Sequence, residues 1–205
     1  MTTRSNSSHD RILEVAQSVI LQKGFAGTSI DDILEKAAIT KGGFFYHFSG
    51  KSDLAKALVN NYLDGDKAIF KNLFTQADAL SEDPLHQLLI FLKLFADLMS
   101  DLAEAHPGCL VAGFTYESQQ FDDEVRNLIK SGVLSWRKMI AERLEAAKEK
   151  YPAVCEIDTE TLADMFTTTI EGGIILSRIF QDKTILVKQV LAYRTHLRLV
   201  FGDLG

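Results

Sequence analysis

The sequence predicts an all-α fold of about nine helices, and three observations lead there. Apolar residues recur at i, i+3/i+4 and i+7 through most of the 205 residues, and no stretch alternates apolar with polar as a strand would. Prolines number three, while Leu, Ala, Lys and Glu, all good helix formers, are plentiful. With 46% hydrophobic residues, a chain of this length can bury a substantial core, as one or two domains.

Taken in order, polar, serine-rich Met1–Ser8 reads as a mobile arm. The first helix is expected from about His9 to Lys23, where Ile12, Leu13, Ala16, Val19 and Ile20 make one apolar stripe. Ser8 is its expected N-cap, and Gly24 the left-handed residue that ends it before Phe25 turns back into the core. A second helix carries Ile30, Ile33, Leu34 and Ala37 on one face, with Thr28 and Asp31 as a variant capping box. A tight turn through Ala38 and Ile39 then leads to a third helix capped by Thr40. Two short helices joined by such a turn are a helix-turn-helix, whose second helix normally enters the DNA major groove.

A fourth helix starts near Gly50–Lys51 and is expected to reach about Gln76, with a bend at Asp64-Gly65-Asp66. Asp83 and Pro84 are placed to cap and open a fifth, about Leu85 to Glu104, apolar on so many sides that it should be central. His106-Pro107-Gly108 breaks it and starts a short sixth helix through Cys109, Val111, Phe114 and Tyr116. The seventh spans about Asp122 to Lys150. An eighth follows Asp158 as cap, and a ninth begins near Thr184.

The run Lys41-Gly42-Gly43-Phe44-Phe45-Tyr46-His47-Phe48-Ser49-Gly50-Lys51-Ser52-Asp53-Leu54 is the most informative stretch. It resembles the end of the DNA-binding segment of the TetR family of bacterial transcriptional regulators, K-G-x-[LF]-Y-x-H-F-x-x-K-x-x-L. The resemblance covers roughly residues 8–55. One departure stands out: the family's usual first tyrosine is Phe45 here, which removes a phosphate-binding hydroxyl. The resemblance implies an N-terminal three-helix helix-turn-helix domain over residues 1–50 and an effector-binding and dimerisation bundle over residues 51–205. It further implies a homodimer on a palindromic double-stranded operator, most often a repressor released by a small-molecule effector. A cytoplasmic location and the absence of any cofactor complete that expectation.

Candidate DNA-binding residues are Thr28, Ser29, Thr40, Lys41, Gly42, Gly43, Tyr46, His47 and Lys51. Lys41, Tyr46, His47 and Lys51 carry donors suited to phosphate oxygens, Lys41 also to guanine N7/O6, while the glycine pair lets the backbone approach the bases. Candidate effector contacts are Tyr62, Phe91, Phe95, Cys109, Phe114, Trp136 and Phe166, the groups that would line a bundle cavity. The apolar stripes of the last two helices could close the monomer core; the resemblance to the family implies instead a dimer seam there, with Gly172-Gly173 allowing close approach. Pro107-Gly108-Cys109-Leu110 also resembles a G-C-L run found in several branches of the family, some of which sense electrophiles. A thiol in a first helical turn beside His106 has physical reasons to be reactive.

Net charge is −6, yet residues 1–51 carry six Lys/Arg against five Asp/Glu, leaving −7 on the remainder. The acidic charge belongs to the part held away from phosphates. Enzyme chemistry finds no support: there is no glycine-rich phosphate loop, nucleophile elbow, H-E-x-x-H or cysteine pair of metal spacing. No apolar run approaches the roughly 18 residues of a membrane span.

Overall fold

The computed structural model describes residues 7–203, so the arm expected over Met1–Ser8 lies outside the described residues except for Ser7 and Ser8, which cap and open the first helix. Among those described there are nine α-helices and no strand: α1 (Ser8–Lys23), α2 (Ile30–Ala37), α3 (Lys41–His47), α4 (Lys51–Leu80), α5 (Pro84–Ser100), α6 (Leu110–Tyr116), α7 (Asp123–Lys150), α8 (Thr159–Phe180) and α9 (Thr184–Val200). A single 3-10 turn, Ser118–Gln120, follows α6.

Local chemistry explains most boundaries. Thr40 Oγ1 accepts the Gly43 amide at 3.1 Å, Asp83 caps α5 with Pro84 at its start, and Asp158 caps α8. α1 begins one residue earlier than expected because Ser7, not Ser8, is the cap: its Oγ accepts the Asp10 amide at 3.2 Å. The capping box of α2 also moves by one. Ser29 Oγ accepts the Asp32 amide at 3.0 Å, and Asp32 Oδ2 accepts the Ser29 amide at 2.9 Å. Thr28 cannot take that part, because it is 1% exposed and its hydroxyl donates to the Gly24 carbonyl at 2.7 Å. Lys23 then pairs with Asp32 at 2.8 Å; its hydrogen bond, followed by those from Ser29, holds the Asp32 carboxyl well below the usual range.

The turn between α2 and α3 closes through Ala38 in the left-handed region at φ 50°, with the Ile39 amide on the Leu34 carbonyl at 3.1 Å. α4 runs without interruption through Gly65 and ends at Leu80, beyond Gln76. α5 stops at Ser100, earlier than expected; Lys183 Nζ donates to the carbonyl of Ser100 at its end and to that of Leu102 just beyond it.

The chain divides into two packing units, residues 1–65 with 108–131, and residues 66–107 with 132–205. This line differs from the division expected between residues 50 and 51, and the first core shows why. Ile12, Ile33, Phe44 and Leu58 are joined there by Leu110, Phe114, Phe121 and Val125 from far along the chain. The start of α7 is tied to α4 in the same unit by Lys56, which donates to Glu124 and lies 3.4 Å from Asp122.

In the second unit, α9 packs on α5 and α8. Tyr193 is fully buried there and satisfies its hydroxyl by donating to the Leu162 carbonyl at 2.8 Å. Gly173 is buried against α9 of its own chain: a Cβ at that position would lie 2.8 Å from Leu186 Cδ1 and 3.2 Å from Leu186 Cα. It therefore sets the α8–α9 distance within one subunit and is not on a surface that a partner could meet, which corrects its expected place in the dimer seam. A methyl group added at Gly172, by contrast, would meet nothing within 4 Å. Gly173→Leu is expected to lower stability by about 1–3 kcal/mol through overpacking. Gly172→Ala, added into open space, should raise it by up to about 1 kcal/mol through helix propensity. Thermal unfolding of both variants checks this, and equal shifts would contradict the assignment.

Candidate nucleic-acid interface

The register of α3 decides which side chains face outward. Phe44 and Phe48 are buried in the first core, so the residues between and before them turn to solvent. Lys41, Gly42, Phe45 and Tyr46 form that exposed face; Tyr46 is 85% and Phe45 45% exposed. The helix contains no acidic residue.

The two glycines separate by role. Gly43 closes the turn, since a Cβ there would approach Ile39 Cγ2 to 3.0 Å and the Thr40 hydroxyl to 3.3 Å. Gly42 faces open space and keeps the outer surface of α3 low. Ser29 and Thr40 are exposed at the starts of α2 and α3, both acting as caps. His47 is half-buried and shares a 2.6 Å hydrogen bond between its Nε2 and Ser8 Oγ, which fixes the ring beside the start of α1.

Two of the nine expected contacts are held inside the fold. Thr28 is turned inward on the Gly24 carbonyl. Lys51 donates to the Phe25 carbonyl and lies 4.3 Å over the Phe25 ring. Burial lowers the Lys51 pKa, opposed by the nearby charges of Glu117 and Asp32. Its ammonium fixes the α1–α2 turn, where a phosphate contact had been expected.

The residue that sequence reasoning missed altogether is Glu117. Its carboxylate accepts the amides of Phe25 and Ala26, each at 2.7 Å, clamping the α1–α2 turn from the end of α6. Phe25 packs into the same place edge-on to Phe114 at 5.3 Å and tilted against Phe121 at 4.6 Å, ring centroid to ring centroid.

The expected effector contacts separate between the units. Phe114, fully buried, belongs to the core under the α1–α2 turn, and Tyr62 packs against that core as well. Cys109, also in the first unit, is 8% exposed and is the N-cap of α6 rather than part of its first turn, its Sγ accepting the Ala112 amide at 3.5 Å. Cys155 is the exposed thiol. In the second unit, burial and then the Arg178 charge lower the His106 pKa, disfavouring its charged form.

Phe91, Phe95 and Phe166 do come together in the second unit, with centroids 5.9–6.4 Å apart, and Phe70 joins all three. Trp136 packs on the same core, half-buried. One turn before Phe70 on α4, burial and then the nearby Glu171 push the Asp66 carboxyl up to about 7. Among the described residues no group of three His, Cys, Asp or Glu side chains is placed to hold a metal ion.

A short helix with an open, acid-free face, following a tight turn and a capped helix, is the recognition helix of a helix-turn-helix DNA-binding protein. Comparison with known proteins narrows this. Residues 12–58 match the family described as bacterial regulatory proteins, tetR family, and residues 84–192 match the tetracyclin repressor-like C-terminal domain. The chain belongs to the TetR family of DNA-binding transcriptional regulators, which are not enzymes.

It is 29% identical over 187 residues, 88% of either chain, to the HTH-type transcriptional regulator in the lacX 3′ region of Lactococcus lactis subsp. lactis. It is 25% identical over 174 residues, 84% of this chain and 77% of the other, to the transcriptional regulator AcuR of Cereibacter sphaeroides. A TetR-family regulator from Agrobacterium tumefaciens superposes with a TM-score of 0.77 at 23% identity, covering 92% of this chain and 96% of that one. No helix among the described residues is long and apolar enough to cross a membrane.

Two outcomes are expected. Glu117→Ala should destabilise the protein by about 1–3 kcal/mol, because it strips a charged acceptor from two amides. Amide exchange at Phe25 and Ala26 should speed up selectively; unchanged exchange there would contradict the clamp.

The second outcome concerns Asp66. Below about pH 4 its carboxyl is protonated in both states. From there to about pH 7 the unfolded chain ionises first, so this group takes stability away as pH rises; above that the penalty is constant. Asp66→Asn should therefore gain stability over wild type with rising pH across this window, as read by denaturant unfolding at pH 5 and pH 8. A pH-independent difference would show the carboxyl to be unperturbed.

Proposed function

We propose that the protein is a homodimeric repressor that lays one α3 per subunit into successive major grooves of a palindromic operator and leaves it when a small molecule binds the second unit. The observation that carries this reading is the exposed face of α3, where Lys41 and Tyr46 stand beside an unobstructed Gly42. Lys41 supplies a donor for guanine, and Tyr46 a hydroxyl for phosphate. Ser29, Thr40, Gly43 and His47 support that face from the helix starts and from the end of α3.

The subunit seam is the outer side of α8. Met165, Ile175, Leu176, Ile179 and Phe180 are exposed there, and with Gly172 they fall at helical spacing along one stripe. Leu199 adds an exposed apolar group on α9. A contiguous apolar face of this kind calls for a partner, and two-fold pairing through it supplies the symmetry a palindrome needs. Two recognition helices then sit about 34 Å apart, one helical turn of DNA. A protein covering two grooves excludes others from the same site, which is repression.

The aromatic group of Phe91, Phe95, Trp136 and Phe166 is the proposed effector region, and Asp66 beside it the polar group that would orient a ligand. α4 and α7 each run from one packing unit into the other, so a ligand that moves them in the second unit displaces residues of the first. The protein is expected to act in the cytoplasm, where its operator lies.

The test begins by selecting bound duplexes from random oligonucleotides with the full-length protein. The recovered sequence is expected to be a two-fold repeat, and Lys41→Ala to weaken it by about 1–3 kcal/mol with relaxed preference at one position. Ile179→Glu should give a monomer by sedimentation and lose the operator while keeping its helical content. A single unrepeated half-site bound by a monomer would overturn the proposal.

A further inference from the structure

Phe45 is a phenyl ring exposed on α3, with 45% of its surface open, while its neighbour Phe44 is fully buried. The two rings meet edge to face, centroids 5.3 Å apart at 83°, so Phe45 is steadied on the core without entering it. Phe45 follows Lys41 by one helical turn, so the two flank the same exposed surface of α3. Gly42 contributes nothing to that surface: a methyl there would find no atom within 4 Å. The result is an exposed phenyl ring on the same helix face as Lys41, on the element that meets base edges.

A phenyl ring has no donor or acceptor, so it recognises neither a phosphate nor a hydrogen-bonding base edge. The one apolar group that the major groove displays is the C5-methyl of thymine. We infer that Phe45 reads the methyl group of a thymine in each half-site, adjacent to the base pair touched by Lys41. This rests on the placement of α3 in the major groove proposed above.

The experiment replaces each thymine of the selected operator, one symmetric pair at a time, with deoxyuridine, which removes the methyl and keeps the base pairing. Affinity is measured for the wild type and for Phe45→Ala, with Phe45→Gln as a second variant should the alanine form lose helical content. One thymine position is expected to cost the wild type about three- to fivefold per half-site, the worth of a buried methyl. Both variants should then bind the thymine and deoxyuridine duplexes alike. An operator with no methyl-sensitive thymine, or a sensitivity that survives in the variants, would overturn the inference. Failure of the underlying reading is distinguishable, since then no duplex is selected, or Lys41→Ala and Tyr46→Ala retain the selected duplex as tightly as wild type.

Discussion

The structure of the DNA-binding unit depends on how the backbone of Phe25 is held. Its amide goes to Glu117 and its carbonyl to Lys51, so both polar groups of one residue are fixed by opposite charges from distant parts of the chain. The ring of the same residue lies under Lys51 and against Phe114 and Phe121. Partial burial weakens the ammonium's hold on its proton, and the Glu117 charge counteracts this, so carboxylate and ammonium support each other across the turn. Everything downstream inherits its position from there. The turn sets the start of α2, α2 sets the left-handed Ala38, and Ala38 sets the direction of α3.

What was legible in the sequence was local. Thr40, Asp83-Pro84 and Asp158 announce their helices because a cap and its amide are three residues apart, and nothing distant competes. The box of α2 lies one residue from its expected place for a physical reason. Thr28 with Asp31 and Ser29 with Asp32 have the same spacing, and only the burial of Thr28 against the Gly24 carbonyl decides between them. Glu117 carried no signal at all: its two partners lie about ninety residues earlier, and nothing in Tyr116-Glu117-Ser118 marks a backbone clamp. Lys51 illustrates the opposite case: its ammonium donates to the Phe25 carbonyl, which also accepts the Thr28 amide, a partnership no local pattern announces.

The glycine pairs show the same limit. Gly42-Gly43 and Gly172-Gly173 read alike as sites of close approach, yet in each pair one residue touches a neighbour and the other faces open space. A helix turns about 100° per residue, so adjacent glycines cannot serve the same surface. Gly43 closes the turn before α3, and Gly173 seats α8 on Leu186 of α9. Gly42 and Gly172 are left to the outside, where DNA and a second subunit are expected. The aromatic candidates divide in a related way. Phe91, Phe95 and Phe166 converge, whereas Phe114 belongs to the packing beneath the α1–α2 turn, and no periodicity distinguishes the two groups.

Gly24 ends α1 at φ 78°, and a methyl group there would sit 2.8 Å from Glu117 Oε1. Positions 24 and 117 are therefore a lock and its key rather than two independent letters of the sequence. A descendant that loses the carboxylate is relieved of the collision at position 24 but still meets the backbone's demand for glycine. One that gains a side chain at position 24 must first give up the clamp. Drift through this part of the protein has an order built into it, and the order runs from the carboxylate to the glycine.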